Sequence, residues 1–219
     1  MKVLDCFGPK VAKSKLSESD TQQLFNICLR SSDRYNHKLV GLIDEEIGIT
    51  DLLRDSALHK TILDEITAYL TEIDAGMWEK VVNTNPEFDL LEMQSAWYNK
   101  QVNMEYNPPH DHRHSSDLVC VIFPKIYIDE SADYYTSYDR HLRQQGQLTF
   151  LYGEHTKNDF GKKQITVKPE EGDMFIFPAT LGHYTAPVLG DSVRYSVSCN
   201  FTFSNLANRL LRKINSNEN

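Results

Sequence analysis

The sequence predicts a mainly β protein with flanking helices, an α+β chain whose strands form an antiparallel sandwich or barrel. Three observations carry this prediction. After Pro86, short apolar runs alternate with turn residues at a spacing of roughly 8–12 residues, as in sandwiches and barrels. Before Pro86, apolar residues recur three or four apart, the period of helices. The composition is globular: of 219 residues, 40% are hydrophobic and 25% charged, with only 10 Gly and 8 Pro, which excludes collagen-like, low-complexity and wholly disordered chains.

Taken in order, Ser17-Glu18-Ser19-Asp20 is an N-terminal cap pattern ahead of Leu24, Ile27 and Cys28, and predicts a first helix. From Ser56, the residues Leu58, Ile62, Ile66, Leu70 and Ile73 form one buried stripe on another. Residues 36–55 between them are mixed in charge and are expected to form a further short helix. The strand-like runs are Ala96 to Gln101, Leu118 to Phe123, Gln147 to Tyr152, Gln164 to Lys168, Met174 to Phe177 and Val193 to Phe203. Asp129 to Gln145, rich in Tyr and charge, is expected to be an inserted surface loop. Leu206, Leu210, Leu211 and Ile214 are expected to lie on a closing helix that frays into a polar tail. The expected organisation is one domain, with a mostly helical flanking part (1–85), a β core (86–205) and a C-terminal helix and tail (206–219).

Charge and patterning exclude several functions. The net charge is −8 and no basic patch is visible, so a grip on nucleic-acid backbone is not expected. The best apolar run, Leu118 to Pro124, is strand-length, far short of the ~20 residues of a membrane span. Asp5 stands where a signal peptide would need its apolar core. The four cysteines are scattered without a C-x-x-C pair, which fits a reducing cytoplasm. There is no G-x-G-x-x-G, P-loop or G-x-S-x-G pattern to support a nucleotide fold or a hydrolase elbow.

The chemistry gathers around histidine. Three crowd into Pro108-Pro109-His110-Asp111-His112-Arg113-His114. On an extended strand, residues two apart point the same way, so His110 and His112 project together. Paired neutral imidazoles suit Fe, Zn, Cu or Ni, although H-x-H alone fits a wet polar turn equally well. Downstream, Gly172-Asp173-Met174-Phe175-Ile176-Phe177-Pro178 is a turn and a buried strand that leads to His183, a third nitrogen for an open site.

Val193 to Phe203 reads with period two. Val193, Tyr195, Val197, Cys199, Phe201 and Phe203 form an apolar face, expected to pack on the N-terminal helices. Arg194, Ser196, Ser198, Asn200 and Thr202 form a polar face that looks either to solvent or into a wet cavity. A guanidinium with a neighbouring hydroxyl is a receptor for a carboxylate, so the set as a whole points to a metal with a dicarboxylic acid spanning to Arg194.

These segments resemble a known family. H-x-H, Gly146-Gln147-Leu148-Thr149-Phe150, Pro169-x-x-Gly172-Asp173-Met174-x-Ile176-Phe177-Pro178, His183 and Arg194-x-Ser196-x-Ser198-x-Asn200 are similar, in that order, to the Fe(II)/2-oxoglutarate-dependent oxygenases. Trp97-Tyr98-Asn99-Lys100-Gln101, Glu105 to His110 and Tyr35 to Gly41 most resemble members from tailed marine phages. The resemblance implies a double-stranded β-helix (a jelly-roll, cupin-like barrel), Fe(II) as cofactor and 2-oxoglutarate as co-substrate. The implied reaction is oxidative decarboxylation to succinate coupled to hydroxylation of a small molecule or a protein side chain, in the cytoplasm of a host if the chain is phage-encoded. It implies His110 and His183 as metal ligands, and Arg194 with Ser196 as the binding pair for the far carboxylate. Asn99 and Gln101 share a strand face and are expected to line the same cavity.

One position departs from the family pattern. Where the family has H-x-D, this chain has His112. The expected set is therefore His110, His112 and His183, with Asp117 in reserve as an acid that swings in. Asp111 should point away and His114 should be solvated. Two other readings remain at this stage: a cupin-type metalloenzyme without 2-oxoglutarate, and a non-catalytic metal-binding jelly-roll module. Arg194 discriminates against the first, which gives it no reason to face the metal, and metal analysis with co-substrate consumption separates all three.

Overall fold

In the computed structural model, the residues described are 8–73, 90–132, 145–153 and 163–204. The expected closing helix, most of the expected surface loop, and Cys6 lie outside them. Eleven strands and three α-helices follow in chain order: β1 (Ala12–Lys15), α1 (Glu18–Cys28), β2 (Asp33–Arg34), β3 (Glu45–Gly48), α2 (Thr50–Arg54), α3 (Ala57–Ile73), β4 (Leu91–Gln101), β5 (Asn107–His110), β6 (Leu118–Tyr127), β7 (Leu148–Leu151), β8 (Gln164–Val167), β9 (Asp173–Pro178), β10 (Gly182–Thr185) and β11 (Val193–Phe203). A 3-10 turn at Asn36–Lys38 precedes β3.

The strands form two antiparallel sheets. The larger runs β1-β9-β6-β11-β4-β3-β2 and the smaller β5-β10-β7-β8. Two facing antiparallel sheets with helices packed on the outside of one make the jelly roll that the motif order implies. Among the described residues, no helix is long and apolar enough to cross a membrane.

Alternation along the central strands builds two cores from one sheet. Leu118, Cys120 and Ile122 of β6, Met174 and Ile176 of β9, and Val197, Cys199 and Phe201 of β11 face the helices, where Leu24, Ile62 and Ile66 meet them. Val119, Val121 and Phe123, with Phe175 and Phe177, face the smaller sheet and pack on Leu148 and Phe150. The apolar face of β11 thus packs on α1 and α3 as expected. Its polar face is not solvated: Arg194, Ser196, Ser198 and Asn200 are all buried. The helices form where the pattern places them. Ser17 caps α1, its hydroxyl accepting from Asp20 N at 3.1 Å. Leu58, Ile62, Ile66 and Leu70 are the buried stripe of α3, joined by Tyr69, whereas Ile73 at the end is exposed.

The N-terminal part differs from the expected helical appendage. It supplies β1, β2 and β3 to the larger sheet, and residues 36–55 hold a strand as well as the short helix α2. These strands have two to four residues and sit toward the sheet edges, so they carry too few positions for alternation to mark them. Their placement matters, because β3 pairs with β4 and walls one side of the space between the sheets.

Candidate active site

Strand pairing brings the histidines together. His110, the last residue of β5, and His183 on β10 are direct partners in an antiparallel register, so their side chains leave the smaller sheet on the same side. Their ring centroids are 4.4 Å apart. His112 lies beyond the strand, and its backbone N–H donates to Ala179 O at 2.8 Å, just past the end of β9. That bond holds the His112 ring 5.2 Å from each of the other two. One nitrogen from each imidazole lies within 4.8 Å of the others.

Hydrogen bonds to main-chain carbonyls choose the tautomers. His110 Nδ1 pairs with Pro108 O at 2.7 Å, and His183 Nδ1 with Leu181 O at 3.0 Å. A carbonyl only accepts, so each Nδ1 carries the hydrogen and each Nε2 presents a lone pair, the arrangement of a metal-ligating histidine. Burial, reinforced by the neighbouring rings, pushes His183 down to about 3 and His112 down to about 4; burial also lowers His110. All three are therefore neutral at pH 7, as ligation requires. The donor set fits a divalent transition metal.

The acids near this cluster are engaged elsewhere. Asp111 turns to Arg113, whose guanidinium contacts its Oδ2 at 2.6 Å, and this contact holds the Asp111 carboxyl below its usual range. Asp117, the reserve ligand, accepts from Phe203 N at 2.8 Å and is not in the cluster. It ties the start of β6 to the end of β11. Asp117→Ala is accordingly expected to cost about 1–2 kcal/mol of stability without lowering metal content, measured by thermal melting and elemental analysis. His114 is exposed at the rim of the cavity.

The cluster opens into a cavity of about 320 Å³ between the sheets. Asn99, Ser196, Ser198 and Asn200 line it from the larger sheet, with Trp97 as a wall. Trp97 stacks on Tyr35 at 5.8 Å and lies 6.0 Å from the His112 ring. Asn99 Nδ2 reaches Ser196 Oγ at 3.5 Å, and Asn99 Oδ1 has no partner among the described residues. Gln101 behaves differently from Asn99. Its amide donates to Ala186 O at 2.9 Å and to Glu105 O, and it is not part of the lining.

Arg194 stands two residues along the strand face from Ser196, roughly 6.6 Å further in. It is 0% exposed, with its guanidinium 5.2 Å over the Phe123 ring. Nη1 donates to Gly146 O at 2.9 Å, while Nε and Nη2 have no partner among the described residues. Gly146 has φ +66, and a Cβ there would press on Val188 and Ile128, so glycine is what lets this carbonyl turn toward Arg194. Burial pushes the guanidinium down to about 9, still protonated at pH 7. A buried cation without an acid is costly, and two unsatisfied donors mark the place for an anion.

The sequence reading did not find Glu46. It is 1% exposed, lies on β3 opposite Asn99, and lines the cavity. Burial, with the charge of Glu105 second, pushes its carboxyl up to about 7. The folded state thus keeps a proton that the unfolded chain releases near 4.5, so stability falls as pH rises from 4.5 through 7. Glu46→Gln removes this penalty. Its stability relative to wild type is expected to grow by about 2–3 kcal/mol between pH 4.5 and pH 8, measured by denaturant titration at both pH values.

Residues 95–200, just under half of the chain, match the family described as "Putative 2OG-Fe(II) oxygenase". This segment holds His110, His112, His183 and Arg194. Among solved structures, a Pseudomonas putida prolyl-4-hydroxylase is 10% identical with a TM-score of 0.55, over 89% of this chain and 93% of that one. HygX from Streptomyces hygroscopicus, with nickel and 2-oxoglutarate bound, is 9% identical with a TM-score of 0.53, over 89% and 83%. A Trichoplax adhaerens prolyl hydroxylase, in complex with a hypoxia inducible factor peptide fragment, is 13% identical with a TM-score of 0.50, over 92% and 86%. At these identities the likeness is one of fold. No curated protein sequence matches the chain.

Proposed function

We propose that the chain is an Fe(II)- and 2-oxoglutarate-dependent dioxygenase that couples oxidative decarboxylation of 2-oxoglutarate to succinate with hydroxylation of a second substrate. The observation that carries this reading is the pairing of two features in one barrel. Three neutral imidazoles converge, and a fully buried arginine keeps two donors unpaired. A dicarboxylate that chelates a metal at one end and needs an ion pair at the other satisfies both.

In this reading His110, His112 and His183 hold the metal through one nitrogen each. For His110 and His183, the carbonyls of Pro108 and Leu181 keep Nδ1 protonated and Nε2 free. Arg194 binds the far carboxylate, with Ser196 as a hydroxyl donor and Asn99 beside it. Gln101 supports the site by fixing the backbone at Ala186 and Glu105. When bound, iron with 2-oxoglutarate supplies the oxidising chemistry. The chain's own part is to leave coordination positions open, to orient the co-substrate and to line the site with the apolar Val121 and Leu148. A cupin-type enzyme without 2-oxoglutarate would leave the Arg194 donors without an anion. The likeness of Trp97 to Gln101 and of Tyr35 to Gly41 supports an origin among tailed marine phages, with the enzyme working in the host cytoplasm.

The test is succinate formation from 2-oxoglutarate by purified protein in air. The expected result is formation that requires added Fe(II) and stops with a chelator. A metal-loaded protein that neither binds nor consumes 2-oxoglutarate would contradict the reading.

A further inference from the structure

The cavity is lined by a buried acid that the oxygenase chemistry does not use. Glu46 Oε2 accepts only from Asn36 Nδ2, at 3.3 Å, and Oε1 has no hydrogen-bond partner. Ionised or protonated, Oε1 is therefore unsatisfied among the described residues, and no lysine or arginine pairs with it there. The segment that covers it is tied down rather than loose. Asn36 Nδ2 donates to Ile43 O at 2.8 Å, Leu42 N to Tyr106 O at 2.9 Å, and Asp44 N to Glu105 Oε1 at 2.9 Å. Gly41 sits where any side chain would run into Glu46 Oε1 and Asn107 Oδ1, so its lack of a Cβ leaves both oxygens uncovered.

What surrounds this carboxyl favours positive charge. Trp97, stacked on Tyr35, supplies an aromatic wall to the same cavity. Glu105 adds a second negative charge close enough to raise the Glu46 carboxyl. The cation on this side is Lys38, which is exposed and lies 4.6 Å over the Tyr35 ring. Asn99, Asn107 and the three clustered histidines add no charge to the lining, and Asp111 at its edge is paired with Arg113. Arg194 does not neutralise Glu46, because neither makes an ion pair with the other.

A buried guanidinium and a buried carboxyl that do not pair with each other call for two ligands of opposite sign. Arg194 is matched by the co-substrate's carboxylate. We infer that Glu46 is the specificity-determining residue for the second substrate, and that this substrate presents a cationic nitrogen, a primary ammonium or a guanidinium, to Glu46 against the Trp97–Tyr35 wall. The inference rests on the oxygenase reading for the identity of the first ligand. An acid beside an aromatic face recognises such groups through an ion pair and a cation–π contact, and discriminates strongly against neutral isosteres because it would otherwise remain unpaired.

The experiment is calorimetric titration of wild-type protein, loaded with Fe(II) and 2-oxoglutarate under nitrogen, with two pairs of Nα-acetylated probes, so that the side chain alone carries charge: Nα-acetyl-arginine amide against Nα-acetyl-citrulline amide, and Nα-acetyl-lysine amide against Nα-acetyl-norleucine amide. At least one cationic probe is expected to bind about tenfold or more tightly than its neutral partner. Glu46→Gln is expected to erase that preference, and Glu46→Asp, which keeps the charge at shorter reach, to restore part of it. Failure of both cations to bind wild type, or an equal preference in Glu46→Gln, overturns the inference. Metal content and 2-oxoglutarate affinity of the same preparations separate the two claims. Their absence in wild type counts against the oxygenase reading, whereas loaded protein that ignores cations counts against the role of Glu46 alone.

Discussion

Arg194→Met is expected to lose 2-oxoglutarate binding while retaining metal, and the ligand-free variant is expected to melt no lower than wild type. Both halves follow from the same geometry. With ligand bound, Arg194 is one partner of a buried charge pair, and truncating such a partner costs about 2–5 kcal/mol, or roughly 30-fold to several thousandfold in affinity. Without ligand, the guanidinium is a fully buried cation whose Nε and Nη2 have no partner among the described residues. Methionine of similar length removes that charge. The variant strands the Gly146 carbonyl, at a cost of about 1–3 kcal/mol, but replacing unpaired buried charge by apolar volume recovers a comparable amount. A structural arginine would behave in the opposite way, with a large fall in melting temperature and unchanged 2-oxoglutarate affinity. Melting curves with and without 2-oxoglutarate read both effects, because only the wild type should be stabilised by the ligand.

His183→Ala is expected to abolish stoichiometric metal binding. His183 is one of three converging imidazoles, and its tautomer is held by Leu181 O at 3.0 Å. Disturbing such a supporting bond typically lowers metal affinity 10–100-fold, so removal of the ligand itself should exceed about 100-fold. His114→Ala is the control. His114 belongs to the same histidine-rich segment but is exposed and outside the cluster, so its loss should leave metal content unchanged. Elemental analysis after dialysis against Fe(II) or Zn(II) distinguishes the two. Equal metal content in both variants would mean that the three rings do not share an ion.

Much of the site was legible because the central strands obey a simple alternation. β11 is buried on both faces, so its apolar and polar stripes each needed a destination, and the polar one could be named residue by residue from Arg194 to Asn200. The convergence of His110 and His183 was not available from periodicity. It depends on the register between β5 and β10, strands far apart in the chain, and only the order of motifs pointed to it. Asp117 and Gln101 show the limit of spacing arguments. Each lies near ligand positions in sequence, but backbone groups claim their side chains, at Phe203 N and at Ala186 O. Glu46 was invisible for another reason. Glu45-Glu46-Ile47-Gly48 falls in the mixed-charge stretch expected to be a short helix, and only the pairing of β3 with β4 sends Ile47 to the helices and Glu46 into the barrel.

The central claim is that one metal ion joins the three histidines and that the co-substrate bridges it to Arg194. Anomalous diffraction at the iron edge, from crystals grown with Fe(II) and 2-oxoglutarate under nitrogen, tests it most directly. The account predicts a single peak about 2.1 Å from one nitrogen each of His110, His112 and His183, with a carboxylate on the Arg194 guanidinium. A peak ligated by other residues, or an Arg194 with its Nε and Nη2 still unpaired in the loaded crystal, would contradict it.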